Sequence, residues 1–287
     1  MKNTSDKAYH ELTITIAETF KDQLVLQLTR LGCLGVIETE EGIIAYFSGT
    51  ADMRAVLAEL DLAKALLIRS GHSQALSFKQ SLIQDQDWNE SWKKGFTPLD
   101  VGERFTILPP WEEQRKDRIN LVIDPGMAFG TGHHETTRSC LVLMEKYDQA
   151  VPKKRFLDLG TGTGLLAIAA SKLGYEQVVA VDTDPLAVEA AHMNIRLNRV
   201  ANIEVLAGSV ADTTGRFDFI AANIISGVLV LLAPSIASQL NQPGLAVLSG
   251  ILAEQADEVV AAMLKEGLTL RERYPDGKWI SLVVAFT

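Results

Sequence analysis

Two cysteines in 287 residues, Cys33 and Cys140, are too few for a disulfide scaffold, and their spacing matches no metal site. They read as reduced thiols of a cytosolic protein. Positive charge is also scarce: 27 Lys and Arg stand against 36 Asp and Glu, for a net charge of −9. The deficit is shared, with −5 in residues 1–90 and −4 in the rest. A protein that grips nucleic acid through its phosphates needs a basic surface, so no direct nucleic-acid grip is expected. An acidic surface can instead draw in a basic protein over long range. The opening Met-Lys-Asn-Thr-Ser-Asp has no apolar signal core. Internal repeats and low-complexity segments are absent. Residues 219–253 carry no charge and are long enough to span a bilayer. Asn223, Ser226, Pro234, Asn241, Gln242 and Pro243 interrupt them, however. A buried strand, a helix and a second buried strand explain this stretch better. The expectation is a cytoplasmic monomer without a membrane segment.

What is present is ordinary for a globular chain: 47% hydrophobic and 22% charged residues, at a length that suits two domains. Residues 1–84 read as a small domain. Leu12, Ile14 and Ile16 alternate with Thr13 and Thr15, as in a half-buried strand. Leu24, Leu28 and Leu31 follow at helical spacing, closed by Gly32. A hairpin around Glu40-Glu41, a second helix over about 51–67 and a strand over about 74–83 complete a ferredoxin-like β-α-β-β-α-β order. Residues 85–118 read as a connector, with Trp88 and Trp92 four apart and breakers at Gly95, Pro98, Gly102, Pro109 and Pro110. Its aromatics suit an anchored linker better than a substrate contact.

Residues 119–287 form the second domain. Strands and helices alternate there, which predicts a parallel sheet covered on both faces. Asp184 with Pro185 starts one helix, and Gly174 ends another. Asp276-Gly277 signals a hairpin, so the last strand should return antiparallel. A doubly wound α/β sheet finished in this way resembles the seven-stranded class I methyltransferases rather than an ordinary dinucleotide domain.

The chemistry gathers in Asp158-Leu-Gly-Thr-Gly-Thr-Gly164, where Gly160, Gly162 and Gly164 join a buried strand to a helix. Absent side chains permit a sharp turn and close approach of a ligand, and helix-start amides favour electron-rich groups. Asp182 ends the next strand, where it can accept hydrogen bonds from both ribose hydroxyls. A nucleoside-type ligand follows. Gly162, Gly164 and Ala167 also fit the dinucleotide fingerprint, so the loop alone leaves NAD open. S-adenosylmethionine is favoured by the resemblance to methyltransferases at Asp158, two residues before the first glycine, a position that in those enzymes supports the methionine amino group. It is favoured too by the C-terminal hairpin, and by Asn223 after a buried strand, aimed where a methyl group would leave. Ser209 is assigned to the cofactor site as well. No His-Asp or Tyr-Lys pattern for hydride transfer is evident.

A second glycine-rich run, Asp124-Pro-Gly-Met-Ala-Phe-Gly-Thr-Gly-His-His-Glu-Thr-Thr137, precedes this. Phe129, beside Gly130, could cover a ligand, and Thr136 and Thr137 begin a helix with free amides. His133 and His134 are adjacent and point apart, so no metal is expected.

These runs, with VDTDPLAVEAAHMN at 181–194 and Ala222-Asn-Ile ahead of an apolar helix, resemble the ribosomal protein methyltransferase family PrmA. The motifs cover residues 85–287; the first 84 match by architecture alone. The resemblance implies a cofactor, S-adenosylmethionine, held by Thr137, Gly160, Asp182 and Asn223, with Asn223 near the transferred methyl. It implies a substrate, ribosomal protein eleven of the large subunit, methylated on lysine side chains and its N-terminal amine up to the trimethylated state. It also implies that the ferredoxin-like domain holds this substrate while the catalytic domain moves on the connector. Some members have Thr-His-Pro where this chain has His133, His134 and Glu135.

Overall fold

The computed structural model describes residues 8–39, 41–70, 76–84, 96–124, 132 and 134–286. These fall into two packed units, Met1–Phe96 and Thr97–Thr287. In the first, β1 (Ala8–Ile16), α1 (Glu18–Arg30), β2 (Gly35–Thr39), β3 (Gly42–Ser48), α2 (Met53–Arg69) and β4 (Leu76–Gln84) follow in order. The strands form an antiparallel sheet ordered β2-β3-β1-β4. The period-2 pattern sends Leu12, Ile14 and Ile16 of β1 and Ile43, Ala45 and Phe47 of β3 to one face. There they pack with Leu24 and Leu28 of α1 and Val56 and Leu60 of α2. This is the ferredoxin-like arrangement.

The second unit starts earlier than the sequence suggested. Within the stretch read as connector, β5 (Leu99–Val101) pairs antiparallel with β6 (Phe105–Leu108), and β7 (Ile119–Val122) lies parallel to β6. Strands of three and four residues between breakers carry too little periodicity to be seen in sequence. Tertiary contacts make them, among them the Arg118 guanidinium, which donates to the Phe105 and Gly102 carbonyls at 3.0 and 2.6 Å. Trp88, Trp92 and Gly95 lie outside the described residues.

There follow α3 (Glu135–Lys146), β8 (Arg155–Leu159), α4 (Leu165–Leu173), β9 (Gln177–Asp182), α5 (Pro185–Asn198), β10 (Ile203–Ala207), β11 (Phe217–Asn223), α6 (Ser226–Gln239), β12 (Leu240–Leu252), α7 (Ala256–Lys265), β13 (Leu268–Asp276) and β14 (Trp279–Phe286). The seven strands from β8 on make one sheet, ordered β10-β9-β8-β11-β12-β14-β13. Neighbours from β10 to β12 are parallel, while β14 runs antiparallel to β12 and β13. Alternate residues feed opposite cores: Phe156, Val178, Ala180, Phe219 and Ala221 pack with α3 and α4, and Leu157, Val179, Val181, Ile220 and Ala222 with α6 and α7. Both faces are buried, so these strands read as nearly unbroken apolar runs. The uncharged stretch 219–253 resolves into β11, α6 and β12. Among the described residues, no helix is long and apolar enough to cross a membrane.

Candidate active site

The order of strands reverses at β8. From it the chain steps outward to β9 and β10, and on its other side lies β11. β8 leads into α4 on one face and β11 into α6 on the other, which opens a crevice beyond their carboxyl ends. Leu159 is paired with Ala222, so Gly160 and Asn223 are the first residues past that pairing.

The three glycines of the turn have different tasks. Gly160 has φ +75° and no room for a methyl group, which would collide with Ile224 Cγ2. Gly162, at φ +54°, donates its N–H to Asp182 Oδ2 at 2.9 Å. Gly164, at φ +82°, is the N-cap of α4, and an added Cβ would lie 3.2 Å from both Cα and Cβ of Ala191, so it lets α5 pack close. The Gly160 and Thr161 N–H groups donate to the Val181 carbonyl at 2.9 and 3.1 Å. Bound in this way to the next strand, the turn is rigid in advance. It offers close access to bare backbone more than a set of free donors.

Two carboxylates flank the turn. Asp182 accepts the Gly162 N–H on Oδ2 and the Asp184 N–H on Oδ1, at 2.9 and 3.0 Å. Each oxygen keeps a second lone pair, enough to receive a ribose diol. Asp158 is 1% exposed. Its Oδ2 accepts from Thr161 Oγ1 at 2.6 Å and from the Ala167 N–H at 3.0 Å. Burial pushes its pKa up to about 7; the Thr161 and Ala167 hydrogen bonds pull it down and the Asp182 charge adds to the rise. Its Oδ1 is buried and has no partner among the described residues. Such an orphaned acceptor is costly unless a ligand completes it, and an ammonium group fits.

Across the crevice, Asn223 Nδ2 donates to Thr137 Oγ1 at 3.1 Å, joining two residues far apart in sequence. Thr137 is buried in the first turn of α3. The expectation of free amides there is not met. His134 is the N-cap of α3: its ring accepts the Thr136 N–H at 3.3 Å, and its carbonyl accepts from Thr137 at 3.1 Å. An imidazole nitrogen here does the work usually done by a Ser or Asp oxygen, which sequence reading did not foresee. Two further residues lacked any sequence signal. Trp279 meets the His134 ring edge-on, centroids 5.1 Å apart. Ser249, fully buried on β12, donates to the Thr136 carbonyl at 3.2 Å while its own carbonyl accepts the Ile224 N–H at 3.2 Å.

Ser209 follows β10 and caps a short 3₁₀ turn. Its hydroxyl accepts the Ala211 N–H at 3.3 Å, and its own N–H donates to Asp212 Oδ2 at 2.8 Å. Phe129, Gly130 and His133 lie outside the described residues.

A parallel sheet closed by an antiparallel hairpin, with a glycine turn and an acidic strand end at its reversal, defines a class I methyltransferase, an enzyme that uses S-adenosylmethionine. More narrowly, the chain belongs to the family described as ribosomal protein L11 methyltransferase (PrmA), whose model matches residues 8–287. The protein of that name from Pelobacter propionicus is 44% identical over 249 residues, 83% of this chain and 80% of that protein. The one from Clostridium perfringens is 43% identical over 202 residues, 69% of this chain and 64% of that protein. The crystal structure of ribosomal protein L11 methylase from Lactobacillus delbrueckii subsp. bulgaricus matches 67% of this chain and all of that one, with TM-score 0.63 and 33% identity.

Proposed function

We propose that this methyltransferase acts on ribosomal protein L11, methylating lysine side chains and the N-terminal amine, with residues 1–84 as the recognition domain. The substrate reading is supported by the names of relatives such as those from P. propionicus and C. perfringens. The observation that carries the site is the Asn223–Thr137 pair facing the glycine turn across the crevice. S-adenosylmethionine, when bound, supplies an electrophilic methyl on a sulfonium. Asp182 receives the ribose hydroxyls, and Asp158 Oδ1 receives the methionine ammonium. The bare backbone of the Gly160–Gly164 turn lets the ligand approach closely, and Thr137 and Ser209 are its further contacts.

Alignment of the amine with methyl and sulfur does most of the work in such a displacement. With its Nδ2 committed to Thr137, Asn223 turns Oδ1 to the incoming amine as an acceptor. Discharging an exposed lysine at pH 7.4 costs about 4 kcal/mol, from a pKa near 10.4. Leaving water for the crevice lowers that pKa, so no strong base is needed. The His134 ring, occupied as a helix cap, is not required for that role.

The test is incubation with labelled S-adenosylmethionine and purified ribosomal protein L11, followed by mass mapping of the product. Label on lysines and the N-terminus supports the assignment. Cofactor binding without label in L11 would show another substrate for the same site.

A further inference from the structure

Strand β7 pairs with β6 along one edge, and among the described residues no strand of its sheet lies along the other. Two asparagines one turn apart on α5 take the place of a strand there. Asn198 accepts the Val122 N–H on Oδ1 at 3.0 Å and donates Nδ2 to the Val122 carbonyl at 2.6 Å. Asn194 accepts the Asp124 N–H on Oδ1 at 2.9 Å. Residues 122 and 124 are spaced as alternate residues presenting backbone groups on one side of an extended chain. Lys172 Nζ reinforces the clamp through Asn198 Oδ1, at 2.7 Å, and the Asn120 carbonyl.

Asn194 has a second bond that Asn198 lacks. Its Nδ2 donates at 2.8 Å to the carbonyl of Thr163, between Gly162 and Gly164 in the cofactor turn. The side chain is fully buried, so neither bond is shared with solvent. Only a carboxamide can accept from one backbone group and donate to another from this position. Asp has no donor above its pKa, and Ser is too short to span both.

We infer that Asn194 is a positioning residue for methyl transfer, setting the Thr163 carbonyl, and with it the Gly160–Gly164 turn, against the end of β7. The inference rests on the cofactor placement proposed above. A purely structural asparagine would affect stability alone; this one also sets how well the turn fits the cofactor.

The test uses the full-length enzyme and two variants. Asn194→Asp, assayed well above the pKa of about 7 that burial gives Asp158, keeps an acceptor for the Asp124 N–H but sets a bare oxygen against the Thr163 carbonyl. Asn198→Ala cuts the same helix from β7 and leaves the Thr163 bond intact. Calorimetric Kd for S-adenosylmethionine, KM and kcat, and Tm are measured for each. Asn194→Asp should raise both Kd and KM for the cofactor about tenfold, the net worth of one buried hydrogen bond, with KM for the protein substrate changed less than about twofold. Asn198→Ala should lower Tm while Kd stays within about twofold. If Asn194→Asp does not fold, Asn194→Ala takes its place. It removes the bonds to both Asp124 and Thr163, and Asn198→Ala, which removes bonds on the β7 side, is the control for the first of these. Wild-type affinity in the Asn194 variants, even with a lower Tm, overturns the inference. So does an equal loss in Asn198→Ala, which would route the effect through β7. Failure of the unaltered enzyme to bind the cofactor would overturn the cofactor placement and this inference with it.

Discussion

Asp158→Asn should stabilise the ligand-free enzyme and impair it. The carboxylate is fully buried, with a pKa pushed from the ordinary 3.8 to about 7, chiefly by burial. The unfolded chain ionises this group near 3.8, whereas the folded chain holds the proton until about 7. Between these values the native state binds more protons, so this group's contribution to stability falls as pH rises through the window. Above it the penalty is complete, on the order of 4 kcal/mol at 1.36 kcal/mol per pH unit. An asparagine of the same shape keeps an acceptor for Thr161 and Ala167 and removes the charge. Its unpaired amide costs less than a bare carboxylate. Urea unfolding without cofactor should therefore show the variant more stable than wild type by a few kcal/mol at pH 8, with the difference nearly gone at pH 4. Calorimetry should show the opposite for function: loss of a charge-assisted bond to the ammonium should weaken cofactor binding by about 1.5–3 kcal/mol. A variant less stable at pH 8, or one that binds as tightly as wild type, would refute the idea that this carboxylate is kept strained for its ligand.

Gly160→Ala places a methyl group against Ile224 Cγ2 at φ +75°; it should lower Tm by several degrees and abolish cofactor binding, both readable in one thermal-shift titration. Asp182→Ala removes an acceptor that also holds the Gly162 N–H, and calorimetry should show affinity lower by roughly 2–3 kcal/mol. Unchanged affinity would remove Asp182 from the site. Deleting residues 1–84, most of the first packed unit, should abolish methylation of the ribosomal protein and leave cofactor affinity within about twofold. Full-rate methylation by the truncated enzyme would deny that domain its recognition role.

The local signals were strong where a residue's chemistry and its backbone task coincide. Gly164 and Gly174 flank α4 in left-handed conformations, Asp184 caps α5, and Gly277 turns the last hairpin at φ +59°, each for a reason present in the residue itself. Apolar runs marked the buried strands, and the position of the glycine turn between strand and helix marked the crevice. β5 and β6 were not legible, because strands of three and four residues exist only once β7 and Arg118 are in place.

By itself, then, the sequence determined the order of elements, the ferredoxin-like and wound-sheet architectures, and the turn at which a nucleoside could lie. These depend on periodicity and on φ/ψ preferences of single residues. Only the tertiary structure decided that Thr137 meets Asn223, that His134 caps its own helix, that Asp158 is left with one unanswered oxygen, and that Asn194 reaches both Asp124 and Thr163. Pairings between groups remote in sequence, and the burial that sets their charge states, arise only when the strands close into a sheet.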